Sequence, residues 1–217
     1  MLLINEREQV IRFGIKMIES GLTTGSGGNI SILNAEKGLA AISPSGMEYK
    51  SIKLEDVVIM DLDGNIVEGT KTPSSEASFH LALLKHREDI NAVVHTHSVF
   101  ATTIACLNWE LPAVHYLVGF SGDKVPLAPY ATFGSQELAD HIIQNIGEYN
   151  GILLANHGLV TVGNNIETAF AAAEEIELVS QIYYQAKSIG EPVILSNNDM
   201  QTVLKKFKSY GQKGKKE

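Results

Sequence analysis

Asn91-Ala92-Val93-Val94-His95-Thr96-His97 is the stretch from which fold and chemistry can both be read. Its apolar, β-branched centre reads as a buried strand, with charge before it and a helical pattern after it. Side chains two apart on a strand share a face. His95 and His97 therefore point the same way at a strand end, where they can share one metal ion. A second apolar strand, Gly151-Ile152-Leu153-Leu154-Ala155, runs into Asn156-His157-Gly158 and offers a third imidazole. Glu76, in Pro73-Ser74-Ser75-Glu76 at the start of a helical pattern, offers a carboxylate. Three histidines and one carboxylate form a plausible zinc site with an exchangeable position.

Around this stretch, helical and strand patterns alternate. Asn5-Glu6-Arg7-Glu8 reads as an N-cap opening an amphipathic helix that Gly21 stops. Short strands are expected at 29–33, 39–42, 57–60 and 66–67, close enough in sequence for antiparallel pairing. Helices are expected at 75–85, 99–107, 135–146, 166–188 and 198–208. Strands are expected at 92–94, 113–117 and 152–155, with 159–162 returning as a hairpin. There is no internal repeat and no linker. The expectation is a single-domain three-layer α/β/α fold with a mixed, largely antiparallel central sheet. Residues 212–217 read as a disordered tail.

Composition bounds the function classes. At 217 residues, 44% hydrophobic and 19% charged, the chain has the make-up of a folded domain that needs no disulfide. The single cysteine, Cys106, suits a reducing compartment and sits in a helical apolar pattern that predicts packing. No signal peptide and no membrane span are read, so the expectation is cytoplasmic, with no membrane partner. A net charge of −8 disfavours nucleic acid as a partner. A small anionic substrate remains compatible with it.

Three segments suit phosphate. Gly25-Ser26-Gly27-Gly28-Asn29 lets backbone N–H groups converge without Cβ obstruction. Ser43-Pro44-Ser45-Gly46 is a hydroxyl-and-glycine turn. Ser74 and Ser75 put hydroxyls and amides at a helix start. Most histidines are structural, and His86 and His141 read that way. His80, four residues after Glu76, reads as a packing or supporting residue before it reads as a ligand. Glu76 is either a first-turn carboxylate favoured by the helix dipole or a general base that can also bind metal. Cys106 lies in no nucleophile motif. Tyr116 and Tyr210 are candidate acids. Neighbouring lysines can lower the Tyr210 phenol's pKa.

Taken together, these motifs make the chain resemble the zinc-dependent class II sugar-phosphate aldolases. The resemblance runs nearly end to end and includes Pro112-Ala113-Val114-His115-Tyr116, Ala128-Pro129-Tyr130-Ala131-Thr132-Phe133-Gly134 and Lys206-Phe207-Lys208-Ser209-Tyr210-Gly211. The last two motifs lean toward the family's fuculose-phosphate branch. The resemblance implies that residues 1–211 form one class II aldolase domain. It implies one zinc per subunit on His95, His97 and His157, with Glu76 as acid/base and as a ligand of the empty site. It implies phosphate on Gly28, Asn29, Ser45, Gly46, Ser74 and Ser75, and Tyr116 and Tyr210 on the aldehyde side. The implied assembly is a homotetramer with active sites near subunit interfaces. The implied reaction cleaves a phosphorylated ketose, L-fuculose 1-phosphate, reversibly to dihydroxyacetone phosphate and L-lactaldehyde. An aldolase for another ketose 1-phosphate and a pentulose-5-phosphate 4-epimerase share the fold and the retro-aldol chemistry. A zinc hydrolase and a non-catalytic binding module, such as the adducin head, are the more distant readings.

Overall fold

Alternation along the central strand sorts the core into two layers. The computed structural model describes residues 1–207, so Tyr210 and the predicted tail lie outside the described residues. The strands are β1 Asn29–Asn34, β2 Leu39–Ile42, β3 Val58–Asp61, β4 Ile66–Glu68, β5 Ala92–Thr96, β6 Leu127–Ala128, β7 Gly151–Leu154 and β8 Gly158–Gly163. They form one sheet in the order β4-β3-β2-β1-β5-β8-β7-β6. Each neighbouring pair is antiparallel except β6 with β7. The helices are α1 Ile4–Glu19, α2 Ala77–His86, α3 Val99–Cys106, α4 Gln136–Ile146, α5 Ile166–Ile189 and α6 Asn197–Phe207.

On β5, Val93 joins Ile152, Leu154, Val160 and Val162 in a core with Phe79 and Leu83 of α2 and Leu138 and Ile142 of α4. Its neighbours Ala92 and Val94 face the other way, into a core with Val10, Phe13 and Met17 of α1 and Phe170 of α5. A third cluster joins Leu153 and Leu159 to α3, α5 and Met200 of α6. The architecture is the expected mixed sheet between two helical layers. No helix among the described residues is long and apolar enough to cross a membrane.

The structure corrects several local expectations. Asn5 does not cap α1. The helix starts at Ile4 behind Leu3, which takes a left-handed conformation (φ 50°) and makes no side-chain cap. Leu3 is buried there, so packing rather than a polar cap sets the start. Arg7, in the first turn of the helix, is 1% exposed. It donates to the carbonyls of Leu2, Leu54 and Val57 and pairs with Glu68.

Residues 113–117 are not a strand. Tyr116–Phe120 is a 3-10 helix, with the His115 ring accepting from the Leu117 amide. The free edge of β7 is instead taken, in parallel, by Leu127–Ala128. Cys106 is exposed rather than packed. It ends α3, whose buried face is Ala101, Ile104 and Ala105.

Gly14 of α1 lies flat against the ring of Tyr49, and a Cβ there would overlap that ring. The Tyr49 hydroxyl in turn donates to the Gly28 carbonyl at 3.3 Å, tying the helix contact to a glycine loop. Burial pushes this phenol up to about 12, so it remains a donor at neutral pH. Overpacking at such a contact costs about 1–3 kcal/mol. Gly14→Ala is therefore expected to lower stability by about that amount in urea unfolding monitored by circular dichroism.

Candidate functional site

The three histidines predicted as ligands converge at one end of the sheet. In the pairing of β1 with β5, Asn29 stands directly opposite His95, so their side chains share a face. On the other side His95 pairs with Val160 of β8. The turn from β7 to β8 carries His157, presented by Asn156 in a left-handed conformation (φ 54°). Asparagine is among the few residues that tolerate this. Gly158 follows because a Cβ there would collide with the Thr96 carbonyl and stand 3.1–3.2 Å from the rings of His97 and His95. One donor nitrogen from each of His95, His97 and His157 lies within 4.8 Å of the others.

The carboxylate comes from the opposite layer. Glu76 is not inside α2 but is the residue preceding it. Its amide donates to the Ser74 hydroxyl at 3.2 Å. Its side chain is buried, with Oε2 at 3.3 Å from His95 Nε2 and Oε1 at 3.3 Å from His157 Nε2. Among the described residues Oε1 has no hydrogen-bond donor.

His95 Nδ1 lies 3.0 Å from the Leu159 carbonyl, which can only accept. Nδ1 therefore carries the proton, and the Nε2 lone pair faces the cluster, where His97 Nε2 stands at 3.0 Å. Burial pushes His95 well below the ordinary histidine range, and His157 and His97 push it the same way. Burial also lowers His97 and His157, with Glu76 opposing it in both. Neutral imidazoles are the form that binds metal.

Bonds of 2.0–2.1 Å at tetrahedral angles put ligand atoms roughly 3.3 Å apart. The spacings of 3.0 and 3.3 Å seen here match that. Three imidazole nitrogens and a buried carboxylate oxygen lacking a donor fit one divalent ion of the zinc type.

A cleft of about 430 Å³ opens beside this group. Gly28, Asn29, Ser45, Gly46, Ser74 and Ser75, all expected at phosphate, line it together with Glu76, His97 and His157. A bridge between Pro44 and Pro73 joins the two loops that carry the serines. Some of their amides are already used. Ser45 N–H donates to the Thr72 carbonyl and Ser74 N–H to the Ser43 carbonyl. What Ser45 can offer an anion is thus its hydroxyl.

The Asn29 side chain is likewise engaged, donating to Glu76 at 2.8 Å. His80 is not placed as a ligand. It is fully buried between Ser31 and Asn29.

Two aromatic residues of the wall, Tyr130 and Phe133, were given no role by sequence reasoning. They are 60% and 66% exposed. The signal was present in the 128–134 motif, but exposure of its rings is not encoded in any periodicity. Tyr116 does not line the cleft. It is 47% exposed and lies against His115 and Phe207.

The geometry predicts one divalent ion per chain. Metal analysis after dialysis against zinc should show near-stoichiometric metal in the wild type and loss of it in His95→Ala and His157→Ala. Full occupancy in both variants would rule the site out.

Comparison with known proteins gives the family. Residues 8–184 match the family described as Class II Aldolase and Adducin N-terminal domain. The 5-deoxy-D-ribulose 1-phosphate aldolase of Bacillus thuringiensis serovar kurstaki is 58% identical over 98% of this chain and 100% of its own. The L-fuculose phosphate aldolase of Haemophilus influenzae is 41% identical over 94% of each chain. A solved structure of L-fuculose 1-phosphate aldolase superposes with a TM-score of 0.94 at 42% identity, covering 96% of this chain and 98% of that one. The chain therefore belongs to the class II aldolase family and, like its named relatives, is an aldolase.

Proposed function

We propose that the chain cleaves a ketose 1-phosphate reversibly to dihydroxyacetone phosphate and a short aldehyde, with a 5-deoxypentulose 1-phosphate as the preferred substrate. The observation that carries the reading is the placement of Glu76. Its two oxygens lie 3.3 Å from His95 and His157, beside a cleft walled by serines and glycines, and Oε1 has no donor among the described residues.

In the direction of synthesis, Glu76 takes a proton from C3 of dihydroxyacetone phosphate, and the electron pair delocalises toward the C2 carbonyl. C3 then attacks the aldehyde carbon, whose oxygen takes a proton from an acid. Cleavage is the reverse, with Glu76 returning the proton to C3. Zinc held by His95, His97 and His157 would supply Lewis-acid stabilisation of the developing negative charge. Gly28, Asn29, Ser45, Gly46, Ser74 and Ser75 would hold the phosphate and so fix C3 against the carboxylate. Tyr210 stays a candidate for the acid on the strength of its terminal motif. Tyr116, outside the cleft of its own chain, would serve a neighbouring copy in a homotetramer. Tetramer and cytoplasmic setting both rest on the family resemblance.

The identities to named relatives favour the smaller deoxy sugar over L-fuculose 1-phosphate. The relative named for 5-deoxy-D-ribulose 1-phosphate is 58% identical, against 41% for the one named for L-fuculose phosphate. The exposed rings of Tyr130 and Phe133 give the cleft an apolar wall. Such a wall suits the terminal methyl that both sugars carry and disfavours a charged group at that end, as in a pentulose 5-phosphate.

A panel of phosphorylated ketoses, assayed for released dihydroxyacetone phosphate, tests this. We expect the highest kcat/KM for 5-deoxyribulose 1-phosphate, with acetaldehyde as co-product, and a lower value for L-fuculose 1-phosphate with L-lactaldehyde. Epimerised pentulose 5-phosphate with no dihydroxyacetone phosphate would overturn it.

A second expectation concerns Glu76. Glutamine keeps the shape but cannot carry a proton. Glu76→Gln should fold, retain metal on three histidines and lose at least ~100-fold in turnover. It should also fail to exchange the C3 proton of dihydroxyacetone phosphate with deuterium, read by proton NMR. Normal exchange would assign the base elsewhere.

A further inference from the structure

We propose that His80 is a positioning residue: through Asn29 it fixes which oxygen of Glu76 is held and which is left to take a proton. The kinetic consequence rests on the aldolase reading above. The hydrogen-bonded chain rests on geometry alone.

Asn29 and Ser31 lie two apart on β1 and so face the same way. His80 reaches both from α2, and all three side chains are buried. The direction of each hydrogen bond follows from what each atom can do. A carboxylate only accepts, so it is the Asn29 amide nitrogen that faces Glu76 Oε2, at 2.8 Å. The Asn29 oxygen is therefore turned away, onto His80 Nε2 at 2.5 Å. An amide oxygen only accepts, so His80 Nε2 carries the proton. Burial, with His95 nearby, keeps this ring neutral at pH 7. A neutral imidazole has one N–H, which makes Nδ1 an acceptor for the Ser31 hydroxyl at 2.7 Å.

Every donor in the chain thus points toward Glu76: Ser31 to His80, His80 to Asn29, Asn29 to the carboxylate. Bonds aligned head to tail polarise one another. Phe79 stacks on the His80 ring at 4.7 Å and 22°, holding its plane.

The result is an asymmetric carboxylate. Oε2 is held by Asn29, while Oε1 has no donor and faces His157. Without the His80 donor, the Asn29 amide could rotate and present its oxygen to the carboxylate. That would repel Glu76 and free it to turn. The competing account is a buried histidine that serves stability alone. It predicts no difference between a substitution that keeps the N–H and one that loses it.

The first test uses the metal-free, uniformly 15N-labelled chain and long-range 1H–15N correlation of the imidazoles. We expect His80 as the Nε2–H form, with a downfield, slowly exchanging proton that moves in Asn29→Ala. An Nδ1–H form in the wild type would overturn the proposal.

The second test compares His80→Leu with His80→Gln in zinc-loaded protein. The glutamine amide can place an N–H near the position of Nε2. For C3 proton exchange in dihydroxyacetone phosphate, His80→Leu should lose about 10- to 100-fold in kcat with zinc content and KM near wild type. His80→Gln should recover most of the loss. Wild-type kcat in His80→Leu, or equal losses in two folded and zinc-loaded variants, would overturn it. Should His80→Leu not fold, Ser31→Ala takes its place. Removing the terminal donor should lower kcat several-fold, and an unchanged kcat counts against the proposal.

The two failures are separable. The expected tautomer in a wild type that exchanges no proton and cleaves no ketose phosphate overturns the aldolase reading and leaves the chain of hydrogen bonds. The wrong tautomer in an active enzyme does the reverse.

Discussion

The end of β5 is the constraint on which the site depends. The strand is buried on both faces and hydrogen-bonded on both edges, to β1 and to β8. A slip of one residue in either pairing would turn every side chain to the other face. His95 would then leave the layer of α2 for that of α1. Its register is held by Val93 in one core and by Ala92 and Val94 in the other. The same pairings set Asn29 opposite His95 and bring the β7–β8 turn alongside. The histidine group is thus positioned by main-chain hydrogen bonds and apolar packing, and the side chains inherit their geometry from the sheet.

What lies at that end is costly without a function. A buried carboxylate oxygen with no donor is destabilising. Three imidazoles held neutral by burial lose the hydration they have in water. Asn156 occupies a backbone conformation that few side chains tolerate. These penalties fall within one cluster, and an ion bound among the same four side chains offsets several of them together. Strain and unmet polar groups gathered at one place are a physical signature of a working site.

Legibility in the sequence follows the range of the interaction. The histidine pair is a period-two feature within one strand, and Glu76 sits at a helix start marked by Ser74 and Ser75, so local pattern exposes them. Most strands and helices were readable for the same reason. Residues 113–117 were not, because Pro-Ala-Val-His-Tyr has strand-like composition while the edge it would pair with is already occupied by Leu127–Ala128. The burial of Arg7 has no local signal, because two of its acceptors are carbonyls far along the chain, at Leu54 and Val57. The link from Ser31 and Asn29 to His80 crosses about fifty residues and two layers, where no window of sequence reaches. Tyr130 and Phe133 were quoted as part of a motif, yet only the folded chain shows that their rings stand at a cleft.

The division of the cleft bears on how one scaffold serves several sugars. The metal group and Glu76 are fixed by the sheet centre and the start of α2, which are buried and intolerant of movement. The serine and glycine loops meet through the bridge between Pro44 and Pro73, close to the same core. In the proposed reaction these parts would handle what ketose 1-phosphates share: a phosphate, a carbonyl and the carbon that gains or loses a proton. The 128–134 segment is different. It leaves the short edge strand β6 and runs to α4, with its rings exposed and few packing demands on their identity. Ala128 and Ala131 belong to the core and Gly134 lies against the Ser75 carbonyl, so it is changes at the two rings that can reshape the wall without disturbing the hydrogen-bonded chain from Ser31 to Glu76. On the proposed reading, substrate choice would vary at this rim while the proton chemistry stays with the sheet.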